Sequence, residues 1–167
     1  MPVLTDDFSL QVAVTAMGNS LQNYVTLHYT RRIYNGRFVP NNSLPKASAK
    51  YNPEDSVQKL LPAPSSTTTG SKDADKARDQ LTPLAARLFG NWTFIAGLIR
   101  LYAAYNVTDP VLYQLSLVTH LLAATHYSGE LFVFKTVRPG WEHLFPLGAG
   151  FGGAIWMTLQ YTHYVSS

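Results

Sequence analysis

The chain has 167 residues, of which 14% are charged and 13% aromatic, and it contains no cysteine. The absence of cysteine from this chain excludes disulfides, thiolate catalysis and cysteine-ligated metals. The net charge of +3 comes from basic residues interleaved with acidic ones rather than from a basic stripe, so we expect no nucleic-acid binding.

The mean hydropathy of −0.04 conceals a segregated chain, because nine of the 13 lysines and arginines lie between positions 31 and 78. Charged residues are sparse elsewhere, which favours lipid surroundings. We predict an all-α integral membrane bundle of four transmembrane helices, the first one marginal, with a long disordered loop between helices 1 and 2. A soluble helical bundle with a disordered insert is the alternative that the weakly charged helices disfavour.

The first predicted span covers 8–29, which carries no formal charge. Its apolar residues recur at spacings of three and four, as on one face of a helix, but amides and hydroxyls dilute it. Asp6 and Asp7 stand where the basic region of a cleavable signal peptide would be, so no such peptide is expected. The following residues, 35–80, are rich in Pro, Ser, Thr, Lys and Asp and are predicted to form a disordered cytosolic loop.

The second and third spans, 84–105 and 111–134, have marked starts. Thr82-Pro83 and Asp109-Pro110 each place an N-capping side chain before a proline at the first helical position. Each span has about 20 residues, enough to cross roughly 30 Å of hydrocarbon. The connection between them is short, so we expect an antiparallel hairpin.

The fourth span, 143–164, is an uncharged, glycine-rich run. Gly148 and Gly152 fit the small-xxx-small pattern that lets helix backbones approach closely. With four spans, the two basic connections, 31–78 and 135–138, fall on the same side. The positive-inside rule then places them in the cytosol and both termini in the lumen.

Ionisable residues inside predicted spans are candidate functional or partner-binding residues: Arg87, Arg100 and Glu130. Arg87 and Glu130 are expected at similar depth and could form an ion pair. Arg100 could extend to the headgroups or reach Asp109. Structural anchoring near the bilayer surface is the simpler role, and we favour it.

His126 and Glu130 are four residues apart and share a helix face, while His120 lies about two turns away. A small sterol-modifying enzyme of isomerase type could use His126 and Glu130, with His120 beside them, if the three met around a cavity. The sequence shows no further converging groups, so we assign no catalytic, cofactor-binding or metal-binding residue.

Three motifs resemble the ergosterol biosynthetic protein 28 family: LAARLFGNWT at 84–93, IRLYAAYN at 99–106 and HYSGELFVFKT at 126–136. Upstream, GNSLQNY at 18–24 and YTRRIY at 29–34 are similar to the end of that family's first span and its cytosolic flank.

The resemblance implies a non-catalytic, multi-pass protein of the endoplasmic reticulum membrane that acts in ergosterol biosynthesis. The family is regarded as a scaffold that tethers three enzymes: the sterol C-4 methyl oxidase, the C-3 sterol dehydrogenase/decarboxylase and the 3-keto sterol reductase. It implies no cofactor and no catalytic residue, and it leaves open whether sterol itself binds.

Overall fold

The computed structural model describes residues 3–40, 60–62 and 80–165. In this part of the chain, the α-helices are α1 Val3–Val25, α2 His28–Ile33, α3 Pro83–Tyr105, α4 Pro110–Ser128 and α5 Leu144–Val165. A π-helical turn, Gly129–Val133, continues α4, and a 3₁₀ turn, Trp141–His143, precedes α5.

Helix starts follow local side-chain chemistry. Thr82 accepts a hydrogen bond from Ala85 N at 3.1 Å, which confirms the predicted cap of α3. Asp109 caps α4 in the same way. The predicted first span is instead divided between α1 and α2, because His28 N donates to the Thr26 hydroxyl at 3.1 Å and this local turn competes with the helix.

The helices form two antiparallel pairs, α1 with α3 and α4 with α5, and the short α3–α4 turn joins the pairs. A Cβ on Gly97 would lie 3.2 Å from Ala13 O, and one on Gly150 would lie 2.8 Å from Ala124 N. Each pair therefore meets backbone to backbone, which larger residues would prevent.

The predicted contact glycines of the last helix are wrong in detail. A Cβ added to Gly148 or Gly152 would have no neighbouring atom within 4 Å, whereas Gly150 and Gly153 face α4. In a glycine-rich helix, small residues four apart occur on more than one face. Which of these faces forms the contact depends on the position of the neighbouring helix.

Polar side chains are buried among apolar ones between the helices, and many large apolar side chains lie on the outside. The buried side chains include Ser20, Asn23, Arg100, Ser116 and His120. Many large apolar side chains on the outer faces are exposed, among them Leu84, Ile95, Tyr102, Val111, Leu121, Phe132, Phe151, Ile155 and Leu159. The helix faces that do not contact one another are therefore strongly apolar.

Most of the predicted disordered loop lies outside the described residues. Within it, β1 Phe38–Pro40 and β2 Leu60–Pro62 form an antiparallel pair in which Val39 is opposite Leu61. These short apolar groups within a polar stretch were missed, because two three-residue strands far apart in sequence leave no periodic signal.

The helices confirm the all-α class. Among the described residues, no helix combines the length and the apolar content needed to cross a membrane. The four transmembrane spans stay a prediction.

Replacing Gly150 by Ala tests the α4–α5 contact. The added methyl group would press on Ala124 N of the α4 backbone, which cannot move without shifting the helix. We expect the free energy of unfolding to fall by about 1–3 kcal/mol, measured by chemical denaturation followed by circular dichroism.

The matched control is Gly152→Ala, two residues away and in open space. It should leave stability unchanged or raise it by up to about 1 kcal/mol through better helix propensity. Equal losses for both variants would contradict the contact.

Candidate functional site

Two hydrogen bonds hold the end of α2 against the segment that follows the π-helical turn. Gly36 N donates to Thr136 O at 2.8 Å, and Arg138 N donates to Asn35 Oδ1 at 2.7 Å. A Cβ on Gly36 would lie 2.7 Å from Thr136 O, so the approach requires glycine. These contacts bring together side chains that are about a hundred residues apart in the sequence.

Four polar side chains meet there, and we call them the loop-end cluster: Tyr34, His126, Glu130 and Thr136. Tyr34 Oη lies 2.7 Å from His126 Nε2, and His126 Nδ1 lies 3.8 Å from Glu130 Oε1. Thr136 donates a hydrogen bond to Glu130 Oε2. Burial raises the pKa of the Tyr34 hydroxyl, so the hydroxyl stays protonated and can donate to His126.

The loop-end cluster forms one wall of a pocket of about 380 Å³. Phe89 and Trp92 of α3 form another wall, and the ring centroids of Trp92 and His126 are 5.2 Å apart. A mostly apolar pocket with a few converging polar groups is the usual form of a small-molecule site. His126 and Glu130, which share a helix face as predicted, line this pocket together with Tyr34.

Arg100 occupies a different place, in the contact between α3 and α4. It is 7% exposed, and it donates from Nε to Thr119 Oγ1 at 2.9 Å and from Nη2 to Thr119 O at 3.1 Å. Thr119 is itself held by a 2.7 Å hydrogen bond from its hydroxyl to Ser116 O. The guanidinium is thus fixed by neutral partners.

A smaller cavity of about 90 Å³ is lined by residues of all five helices, among them Arg100, Asn19 and Tyr127. Asn19 Oδ1 is buried and has no hydrogen-bond partner in the described part of the chain. The cavity therefore contains a fixed cation and an amide oxygen that lacks a donor. We call it the Arg100 cavity.

The predicted ion pair between Arg87 and Glu130 and the predicted contact between Arg100 and Asp109 are wrong. Arg87 is exposed, and Glu130 is engaged by Thr136 instead. The π-helical turn, in which Phe134 N donates to Gly129 O, changes the direction of Glu130 relative to a regular helix. Arg100 does not reach Asp109, whose carboxylate accepts from the backbone at the start of α4.

His120 does not join His126 and Glu130. It is fully buried, and its Nδ1 donates to Ala149 O of α5 at 2.9 Å, because a carbonyl can only accept. The constellation that an isomerase would need around one cavity is therefore not formed. Within residues 3–40, 60–62 and 80–165, no group of three potential ligands could hold a metal ion.

Sequence reasoning missed Tyr34, Thr136 and Asn19. Thr136 lies only six residues after Glu130, so a turn predicted at the end of that helix could have indicated that the two side chains meet. No local signal links Tyr34 to His126 or Asn19 to Arg100, since these pairs depend on how separate helices pack.

Comparison with known proteins gives a consistent result. The family model described as Erg28 like protein matches residues 6–155. The Ergosterol biosynthetic protein 28 of Gibberella zeae is 44% identical over 158 residues, which are 95% of this chain and 88% of that protein. The Candida albicans protein of the same name is 27% identical over 94% of this chain and 85% of its own length. No solved structure matches.

Thr136→Val tests the loop-end cluster. It removes the donor to Glu130 and leaves a half-buried carboxylate oxygen without its partner, so we expect a loss of about 1–3 kcal/mol in the free energy of unfolding. Chemical denaturation of the purified protein measures it.

Thr108→Val, in the exposed α3–α4 turn, is the control for the same chemical change and should alter stability by less than about 0.5 kcal/mol. If Thr136→Val were equally neutral, the cluster would contribute nothing to the fold.

Proposed function

Since the chain belongs to the Erg28-like family, we propose that it acts in ergosterol biosynthesis as a non-catalytic membrane scaffold. Its partners would be the sterol C-4 methyl oxidase, the C-3 sterol dehydrogenase/decarboxylase and the 3-keto sterol reductase, at the endoplasmic reticulum. The observation that carries the proposal is the 44% identity, over nearly the whole chain, to a protein named Ergosterol biosynthetic protein 28.

The distribution of polarity supports a membrane setting. Large apolar side chains point away from the bundle, while hydroxyls, amides and Arg100 lie in the helix contacts. In lipid, helices associate through small residues and shared hydrogen bonds rather than through apolar burial. Hydrogen bonds such as Ser20 to Thr93 at 2.8 Å fit that mode of packing. We propose that the predicted spans 8–29, 84–105, 111–134 and 143–164 lie in the bilayer.

A scaffold needs surfaces more than it needs a reactive centre, and the bundle offers such surfaces. The exposed aromatic and aliphatic faces of α3, α4 and α5 could contact either lipid or the membrane helices of partner enzymes. His126 and Glu130 are already engaged by Tyr34 and Thr136, and His120 is sequestered between α4 and α5. These contacts support a structural role for the groups on which the isomerase alternative depends.

Affinity purification tests the scaffold role directly. With the tagged protein solubilised in mild detergent, we expect the three C-4 demethylation enzymes to copurify, whereas recovery of the tagged protein without them would contradict the scaffold role. Mass spectrometry identifies the recovered proteins.

Glu130→Gln distinguishes the two functions. In a scaffold it should change the amount of assembled complex and leave each enzyme's turnover per molecule unchanged. Turnover of a sterol by the isolated wild-type protein, abolished in Glu130→Gln, would overturn the scaffold proposal in favour of the isomerase.

The proposed topology is testable because the chain has no cysteine, so single cysteines can be labelled without background. In intact microsomes, a membrane-impermeant maleimide should label Ser65→Cys in the basic loop and should label Thr108→Cys in the α3–α4 turn only after permeabilisation. Labelling of both sites before permeabilisation would contradict a membrane between them.

A further inference from the structure

The Arg100 cavity holds a charge that the described side chains do not neutralise. The guanidinium donates to the hydroxyl and the carbonyl of Thr119, and no described carboxylate forms an ion pair with it. A buried charge is costly unless it is paired with an opposite charge and hydrogen-bonded. An arginine can donate five hydrogen bonds, so donors remain for an additional partner.

The cavity is placed where a ligand could enter from the side of the bundle. α1 is paired with α3 and α5 with α4, while α1 and α5 touch each other little. Thr15 of α1 and Phe145 of α5 line the cavity and are both exposed, so they form its outer rim. The opening therefore faces whatever surrounds the helices, with Arg100 at the inner end.

The chemistry of the lining defines a ligand class. The inner end offers guanidinium donors, which bind a carboxylate in a two-pronged geometry. Asn19 Oδ1 lacks a donor among the described residues, and a hydroxyl of the ligand could supply it. Apolar residues such as Val12 and Pro146 line the remaining wall. These features suit an apolar molecule that carries both a carboxylate and a hydroxyl at one end.

We propose that the Arg100 cavity binds the polar end of a sterol acid, with its carboxylate on Arg100 and its neighbouring hydroxyl on Asn19. This inference rests on the proposed function. A C-4 methyl oxidase converts a methyl group to a carboxylic acid, and a C-3 dehydrogenase/decarboxylase consumes an acid whose hydroxyl is on the adjacent carbon. The intermediate passed between these enzymes is therefore a 3-hydroxy-4-carboxy sterol, and the scaffold would hold it between them.

The test measures equilibrium binding of three radiolabelled probes to the purified full chain in nanodiscs: a 3-hydroxysterol-4-carboxylate, the corresponding 4-methyl sterol and oleate. Wild-type protein should bind the sterol acid at least tenfold more tightly than either other probe. Arg100→Gln should weaken sterol-acid binding by roughly tenfold or more, since the carboxylate would lose its positively charged hydrogen-bond donor. Binding of the 4-methyl sterol should not change.

Arg87→Gln is the matched control, because it removes an exposed arginine from the same helix and should leave all three affinities unchanged. If Arg100→Gln fails to fold, Asn19→Asp replaces it as the test variant. A carboxylate placed in the cavity should repel the sterol acid and weaken its binding, and it should leave the affinity for the 4-methyl sterol unchanged.

Equal wild-type affinity for acid and 4-methyl sterol, or equal affinity for oleate, would overturn the assignment. So would unchanged acid binding in folded Arg100→Gln. Copurification of the enzymes is a separate readout: their recovery with Arg100→Gln, together with loss of acid binding, would support both proposals independently. Acid binding without enzyme recovery would remove only the scaffold role.

Discussion

The close approach of helix backbones at a few glycines is the constraint on which the rest of the structure depends. At Gly90 and Gly97 α1 meets α3, and at Gly150 and Gly153 α5 meets α4. At these contacts there is no room for large side chains, so small and polar residues fill much of the space between the helices. Many large apolar side chains are consequently directed outward, and this arrangement supports the proposed membrane setting.

Such a bundle cannot gain its stability mainly from an apolar core, since the buried cluster around Tyr113 and Met157 is small. Hydrogen bonds between helices add to this small cluster, and one of them runs from Tyr113 Oη to Met157 O at 2.7 Å. A buried hydrogen-bond network is specific because a half-satisfied network is costly. The arrangement therefore fixes which helices pair, and it leaves the outer surface available for lipid or for other membrane proteins.

The features that could be predicted from sequence are those with local causes. Thr82 and Asp109 cap the helices that follow them because capping involves only neighbouring residues. Contacts between helices were harder to predict from the sequence. The contact glycines of α5 were assigned to the wrong face, and a π-helical turn changed the direction of Glu130. A one-residue change in helix geometry is invisible to a pattern of apolar spacing, yet it decides which side chains meet.

Arg100 illustrates the difference between a structural and a binding role. If it served only to join α3 to α4, a neutral donor to Thr119 could make that contact without the cost of a buried charge. Thr119, itself bonded to Ser116 O, holds the guanidinium in one orientation. Arg100 also lines a cavity together with Asn19, whose side-chain oxygen is unpaired among the described residues. A side chain that is already held in one orientation raises affinity, because it loses little conformational entropy when a ligand binds. An anionic group that entered from outside the bundle, as proposed for the sterol acid, would neutralise this charge.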